Sequence, residues 1–214
     1  MMGRIASRTA LTTLLFGMGG LPVGAQSSNG EVTKGMQELG VWGGEGLVAT
    51  TAFGGLTRPE AEGRMSAVLG LRYGRVLFAK DSLSLTYIAD LVPIEIQRGN
   101  VTRESDPLTP TARATVFGTG LAPLGLKASF GRARVKPFVS AAGGFLVFGR
   151  RVPLPAATKL TFTGDIDLGA DLWTRSSRAF TLGLKFHHIS NAGTGDVNRG
   201  LNLFVLYGGM SFFR

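Results

Sequence analysis

The chain has 214 residues, 23 of them Lys or Arg and 14 Asp or Glu, for a formal net charge of +9, and it holds no cysteine. That length suits one domain, and a composition 17% charged and 44% hydrophobic excludes a highly charged disordered chain. The absence of Cys excludes disulfide scaffolds, Cys-based zinc sites and thiol nucleophiles, and the two histidines, His187 and His188, confine imidazole chemistry to one place.

Residues 1–25 open with Arg4 and Arg8, run through an apolar stretch around 11–21, and end in Val23-Gly24-Ala25, a small-residue cleavage pattern. This is the pattern of a secretory signal peptide, and the apolar stretch falls short of the ~20 residues of a membrane anchor. The mature domain is expected to span 26–214. Without Arg4 and Arg8 the basic residues fall from 23 to 21 against 14 acidic, so the exported protein carries about +7.

Beyond the leader no segment offers the ~18 consecutive apolar residues of a helical span, and none keeps a 3.6-residue apolar period for long. Period-two alternation recurs instead, the mark of a strand whose two faces meet different surroundings. In 160–173, Leu160, Phe162, Ile166, Leu168, Ala170 and Leu172 interleave with Thr161, Thr163, Asp165, Asp167 and Asp171. In 181–190, Leu182, Leu184 and Phe186 share one parity, with Thr181, Lys185 and His187 on the other. A short turn at 175–177 makes these segments neighbours, so Lys185 can face the carboxylates across the pair.

The same reading gives eight strands, near 36–48, 64–77, 82–96, 115–129, 134–149, 159–173, 178–190 and 200–213. They are longer than the ~5–6 residues of soluble strands and match the ~9–11 or more that a tilted transmembrane strand needs. Long strands with carboxylates on one parity predict an all-β, eight-stranded, antiparallel up-and-down transmembrane barrel, the size whose bore is filled by side chains. A secreted, soluble, lipocalin-type barrel is the rival, with its apolar face turned inward around a ligand. Connections at 49–63, 97–114, 150–158 and 191–199 read as long loops, and those near 79–81, 130–133 and 174–177 as short turns. Outer-membrane barrels put short turns in the periplasm and long loops outside, which places 191–199 at the cell exterior. Leu203, Val205, Tyr207 and Phe213 suit a closing strand, although the last residue is Arg214. Gly43-Gly44-Glu45-Gly46 reads as a strand-rim kink or bulge rather than a phosphate loop.

Phe186-His187-His188-Ile189-Ser190-Asn191-Ala192-Gly193 closes the seventh strand. His188 and Ser190, two apart, project from one face, where an imidazole can take the proton of a serine nucleophile. Their parity is that of Leu182, Leu184 and Phe186, the lipid-facing side, where polar groups are costly. His187 is expected in the lumen, in a structural role. At a strand end near the headgroups a His and a Ser are also tolerated without catalysis.

His188-Ile189-Ser190-Asn191-Ala192-Gly193, followed by Asn198-Arg199-Gly200-Leu201-Asn202, resembles the PagL-like lipid A 3-O-deacylases, outer-membrane serine esterases built as eight-stranded barrels. The resemblance implies Ser190 as nucleophile and His188 as general base, with Asn191, Gly193 and Asn198 stabilising an oxyanion or ordering the loop. The family pattern has Glu where this chain has Asn202. An Asn carbonyl can hold the Nδ1–H of His188 but cannot stabilise an imidazolium by charge, and Asp-to-Asn in a serine-protease triad costs ~10⁴ in rate. Asp196 lies in the same loop at a spacing that does not match.

The implied function is hydrolysis of an ester-linked acyl chain of lipid A at the cell outer membrane. The alternative is a non-catalytic barrel of the same scaffold. Expected partners are the membrane and the anionic lipid A of its outer leaflet, whose phosphates Arg98, Arg103, Arg113, Arg150, Arg151 and Arg199 could engage. A homodimer is left open. No cofactor or metal is expected, since no H-x-H, Cys pair or Gly-rich phosphate loop is convincing, and no nucleic acid, since basic and aromatic residues do not interleave.

Overall fold

The computed structural model describes residues 30–49, 54–103, 106–175 and 177–214; the expected leader, 1–25, lies outside them. Eight strands follow in order: β1 Gln37–Ala49, β2 Met65–Lys80, β3 Leu83–Arg103, β4 Asp106–Phe130, β5 Val135–Val152, β6 Thr158–Arg175, β7 Arg178–Ser190 and β8 Leu201–Phe213. A four-residue helix, α1 Arg58–Ala61, precedes β2. Each strand pairs antiparallel with the next and β1 pairs with β8, closing the barrel. This is the eight-stranded up-and-down fold expected from the alternation.

Side-chain parity explains the closure. On β6 Ile166 and Leu168 are 58% and 61% exposed, while Asp167 and Asp171 are 1% and 4% exposed. The other strands repeat this, with Leu182, Leu184, Leu206, Leu121 and Leu91 outside and Lys185, Lys127 and Asp90 inside. An apolar outer wall around a charged interior inverts a soluble barrel and suits hydrocarbon outside. It removes the ligand-binding soluble barrel from consideration. Glu45 of β1 departs from this pattern, exposed on the wall between Val41 and Leu47, themselves 40% and 69% exposed.

Two sequence expectations change. The segment 97–114 is not an open loop, because β3 continues to Arg103 and β4 starts at Asp106, extending the hairpin past the other strands. Register shifts fall between Val101 and Thr102 and between Thr102 and Arg103. Gly43-Gly44-Glu45-Gly46 is not a rim kink either, for it lies within β1 in continuous register with β2 and β8. The glycines there permit close approach: a Cβ on Gly44 would fall 2.4 Å from the Leu206 carbonyl oxygen.

The interior is paired charge between two apolar plugs. Arg72 donates twice to Asp90, at 2.8 and 2.7 Å. Lys127 lies 2.6 Å from Asp171, and Lys185 lies 2.9 Å from Asp165 and 3.3 Å from Asp167. His187 points inward, as expected, bonded to Asp165 through Nδ1 and 3.5 Å from Glu95 through Nε2. Lys185 reaches across the β6–β7 pair to the carboxylates, also as expected, and sits 4.7 Å over the Trp42 ring. Trp173, Ala179 and Phe213 pack together at the short-turn end. Leu56, Ala61, Phe148, Val152, Leu154, Ile189 and Leu201 belong to a larger cluster toward the long-loop end. Gly183 makes room for this filling, since a Cβ there would meet the Tyr207 ring at 2.5 Å.

Candidate active site

Strand register assembles the site. His188 of β7 pairs with Asn202 of β8 on one side and Gly164 of β6 on the other, and Ser190 pairs with Phe162. His188 and Ser190 are half-buried and share the outward parity of the exposed Leu182 and Leu184. The lipid-facing placement expected for the pair is the one the fold gives. Two residues along a strand set their Cα atoms roughly 6.5 Å apart on one face, a spacing at which a hydroxyl and a ring can approach each other.

The Nδ1 of His188 lies 2.6 Å from the Oδ1 of Asn202. With the Asn202 carbonyl oxygen accepting, Nδ1 is the donor, and in a neutral ring that arrangement leaves the lone pair on Nε2, the tautomer a general base requires. Asn202 shares the outward parity of Phe204 and Leu206, which are 49% and 62% exposed, yet it is itself 0% exposed. Residues 54–56, ahead of β2, lie against the chain just before Asn202. Gly55 forms a parallel bridge with Gly200, the Gly200 N–H donates to the Gly54 carbonyl at 3.2 Å, and Leu56 is fully buried. This segment therefore crosses the start of β8 two residues before Asn202.

That contact is absent from the sequence reading, although a local signal exists. Thr57-Arg58-Pro59-Glu60 has capping-box spacing, and the Thr57 N–H and hydroxyl donate to the Glu60 carboxylate at 2.7 and 2.8 Å. A helix start there could be inferred. Its docking on β8 could not, because nothing local encodes a partner well over a hundred residues away.

The loop after Ser190 is organised by Asn191, which is 3% exposed. Its Oδ1 accepts the Gly193 N–H at 3.0 Å and its Nδ2 donates to the Val197 carbonyl at 2.9 Å. Its own carbonyl accepts the Thr194 N–H and hydroxyl at 3.0 and 2.7 Å. The Asn191 N–H donates to Asn198 Oδ1 at 3.3 Å. Of the two roles open to Asn191, Gly193 and Asn198, these bonds are those of loop ordering. Asp196 is exposed on the same loop. Among the described residues no group of three or more His, Asp or Glu side chains is placed to hold a metal ion.

A family model described as lipid A 3-O-deacylase (PagL) matches residues 67–211. No curated protein matches the chain. The crystal structure of the outer membrane enzyme PagL is similar with a TM-score of 0.58 at 18% identity, covering 80% of this chain and 97% of that one. The outer membrane protein OprG from Pseudomonas aeruginosa gives a TM-score of 0.48 at 13% identity, covering 88% of this chain and 99% of that one. The first likeness shows a common fold.

Proposed function

Because the chain belongs to the lipid A 3-O-deacylase (PagL) family, we propose that it is an outer-membrane serine esterase that removes an ester-linked acyl chain from lipid A. The observation that carries this reading is the His188–Asn202 hydrogen bond on the outward wall, one alternation step from Ser190. Residues 1–25 act as the export leader. The long-loop end faces the cell exterior, so Ser190 meets the outer leaflet near the glycolipid's ester linkages.

In the reaction the Ser190 hydroxyl attacks the ester carbonyl as its proton passes to Nε2 of His188. The tetrahedral oxyanion collapses, the C–O bond to the sugar breaks, and the sugar oxygen leaves with the proton held by His188. Water, deprotonated by the same imidazole, then attacks the acyl-Ser190 ester; the bond to Oγ breaks, the fatty acid leaves, and His188 returns the proton to Ser190. Asn202 keeps the ring in the productive tautomer throughout. It supplies no negative charge to the transient imidazolium, so turnover is slow beside an enzyme with a carboxylate there. Asn191, Gly193 and Asn198 fix the loop that follows the nucleophile.

The test is mass spectrometry of lipid A incubated with purified barrel in neutral detergent. Wild type is expected to release fatty acid, and Ser190→Ala to release none while keeping the heat-modifiable mobility of a folded barrel. Equal release by both proteins rejects the mechanism. The neutral Asn202 favours the second reading, a non-catalytic barrel on the same scaffold, which predicts no release even by wild type.

A further inference from the structure

The short-turn end holds a second feature, at the opposite end of the barrel from Ser190. A cavity of about 640 Å³ opens there between residues 31–34, the β2–β3 turn and the β4–β5 turn, with Lys34, Lys80, Ser84, Arg132 and Lys136 among its lining. Its walls are tied. The Gly131 N–H donates to the Ser82 carbonyl at 2.6 Å and Arg132 to the Asp81 carboxylate at 2.7 Å, which joins the two turns. On the other side the Gly35 N–H donates to the Val76 carbonyl at 2.8 Å, and Val32 and Met36 pack on Trp173, Ala179 and Phe213.

Charge in this mouth is unevenly paired. Deeper in the bore Arg72 and Lys185 lie within 3 Å of Asp90 and Asp165. Lys136, only 5% exposed, faces Asp171 across the β5–β6 pair, but that carboxylate already takes Lys127 at 2.6 Å and the Thr181 hydroxyl at 2.8 Å. The Lys136 ammonium donates instead to the Gly131 carbonyl at 3.2 Å, on the rim of the cavity. One carboxylate thus serves two buried ammonium groups. Four cations, Lys34, Lys80, Arg132 and Lys136, line the cavity against two carboxylates, Glu31 and Asp81. Asp81 is taken by Arg132, which leaves three lysines against Glu31.

A desolvated ammonium beside an open volume is a place for an anion. A guanidinium fork grips one phosphate or carboxylate by two bonds, whereas separate lysines act as point charges and suit a ligand with several anionic groups. The volume lies within the ~300–1,000 Å³ of small-molecule sites, far more than one carboxylate fills. The orientation proposed above turns this end to the periplasm. There the stem peptides of the cell wall carry several carboxylates within three residues, while a protein C-terminus brings one.

We propose that this short-turn cavity is a binding site for an acidic peptide of the cell wall, held by Lys34, Lys80 and Lys136 through its carboxylates. It rests on the orientation of the barrel in the proposed function and not on ester cleavage, so it stands if the Ser190 chemistry fails.

Isothermal titration of the whole refolded barrel in uncharged detergent tests it. The probes are the stem tripeptide L-Ala-γ-D-Glu-meso-diaminopimelate, the α-linked L-Ala-L-Glu-L-Glu, the amide of L-Ala-L-Gln-L-Gln, and inorganic phosphate. The stem tripeptide is expected to bind saturably and more tightly than phosphate, and the amide not at all. Lys34→Gln with Lys80→Gln should weaken binding by about tenfold or more, as loss of charge-assisted bonds requires. Both lysines are exposed, so this double variant is expected to keep heat-modifiable mobility. Lys136→Met should weaken binding by a similar factor, and Asp171 keeps Lys127 in that variant. Ser190→Ala should bind as wild type does, so the two readings fail separately. Absence of saturable stem-peptide binding, phosphate binding as tight as that of the peptide, or undiminished binding in the folded double variant overturns the proposal. Tighter binding of the α-linked peptide overturns the assignment to the cell wall in favour of an acidic protein segment.

Discussion

Across the β7–β8 pair, the His188 ring is held by the Asn202 side-chain carbonyl at 2.6 Å, in a position that strand register alone determines. The ring is thus held by a neutral acceptor, where the triad of a serine protease has a carboxylate.

Restoring that charge is expected to raise activity. Asn202→Glu should increase acyl release from lipid A by about tenfold or more, a fraction of the ~10⁴ that separates Asp from Asn in a serine-protease triad. Asn202→Leu removes the carbonyl that accepts from Nδ1 and should lower release by at least as much. Initial rates of fatty-acid release, normalised to folded barrel, decide both.

Loop order is expected to rest on Asn191. Asn191→Ala removes the acceptor of the Gly193 N–H and the donor to Val197, each bond worth about 1 kcal/mol. Amide hydrogen exchange should then quicken over 192–198 and stay unchanged in β1–β6. Unaltered protection at Gly193 would contradict the assignment.

In the bore, Lys185 balances two carboxylates and is 1% exposed. Lys185→Met leaves Asp165 and Asp167 buried without their shared ammonium, which should cost about 3–5 kcal/mol in reversible urea unfolding. Lys185→Met with Asp165→Asn and Asp167→Asn should recover a large part of that loss.

Glu45 offers the opposite case. Its carboxylate stands on the outer wall between Val41 and Leu47, where charge is disfavoured. Glu45→Leu should stabilise the barrel in bilayers by about 1 kcal/mol, read as a higher urea midpoint. A lower midpoint would show that the carboxylate contributes to stability.

The fold was legible where the two faces of a strand meet two solvents. Ile166, Asp167 and Leu168 carry the inside and outside of the barrel in three consecutive letters, and His187 beside His188 divides an inward imidazole from a candidate base. The hairpin between β3 and β4 was not legible. Beyond the hydrocarbon band the alternation of polarity ends while backbone pairing continues, so 97–114 resembles a loop in composition only. Register was hidden too, because no single strand encodes its offset from the next, and the His188–Asn202 bond depends on that offset. The crossing of Gly55 onto Gly200 joins distant parts of the chain and leaves no local trace beyond the capping box at Thr57.

The ion-paired bore has a consequence for the cell. Among the described residues the bore is filled by ion-paired side chains, as expected for a barrel of eight strands, and leaves no wide pore. A membrane can therefore carry many copies of such a barrel without gaining wide pores.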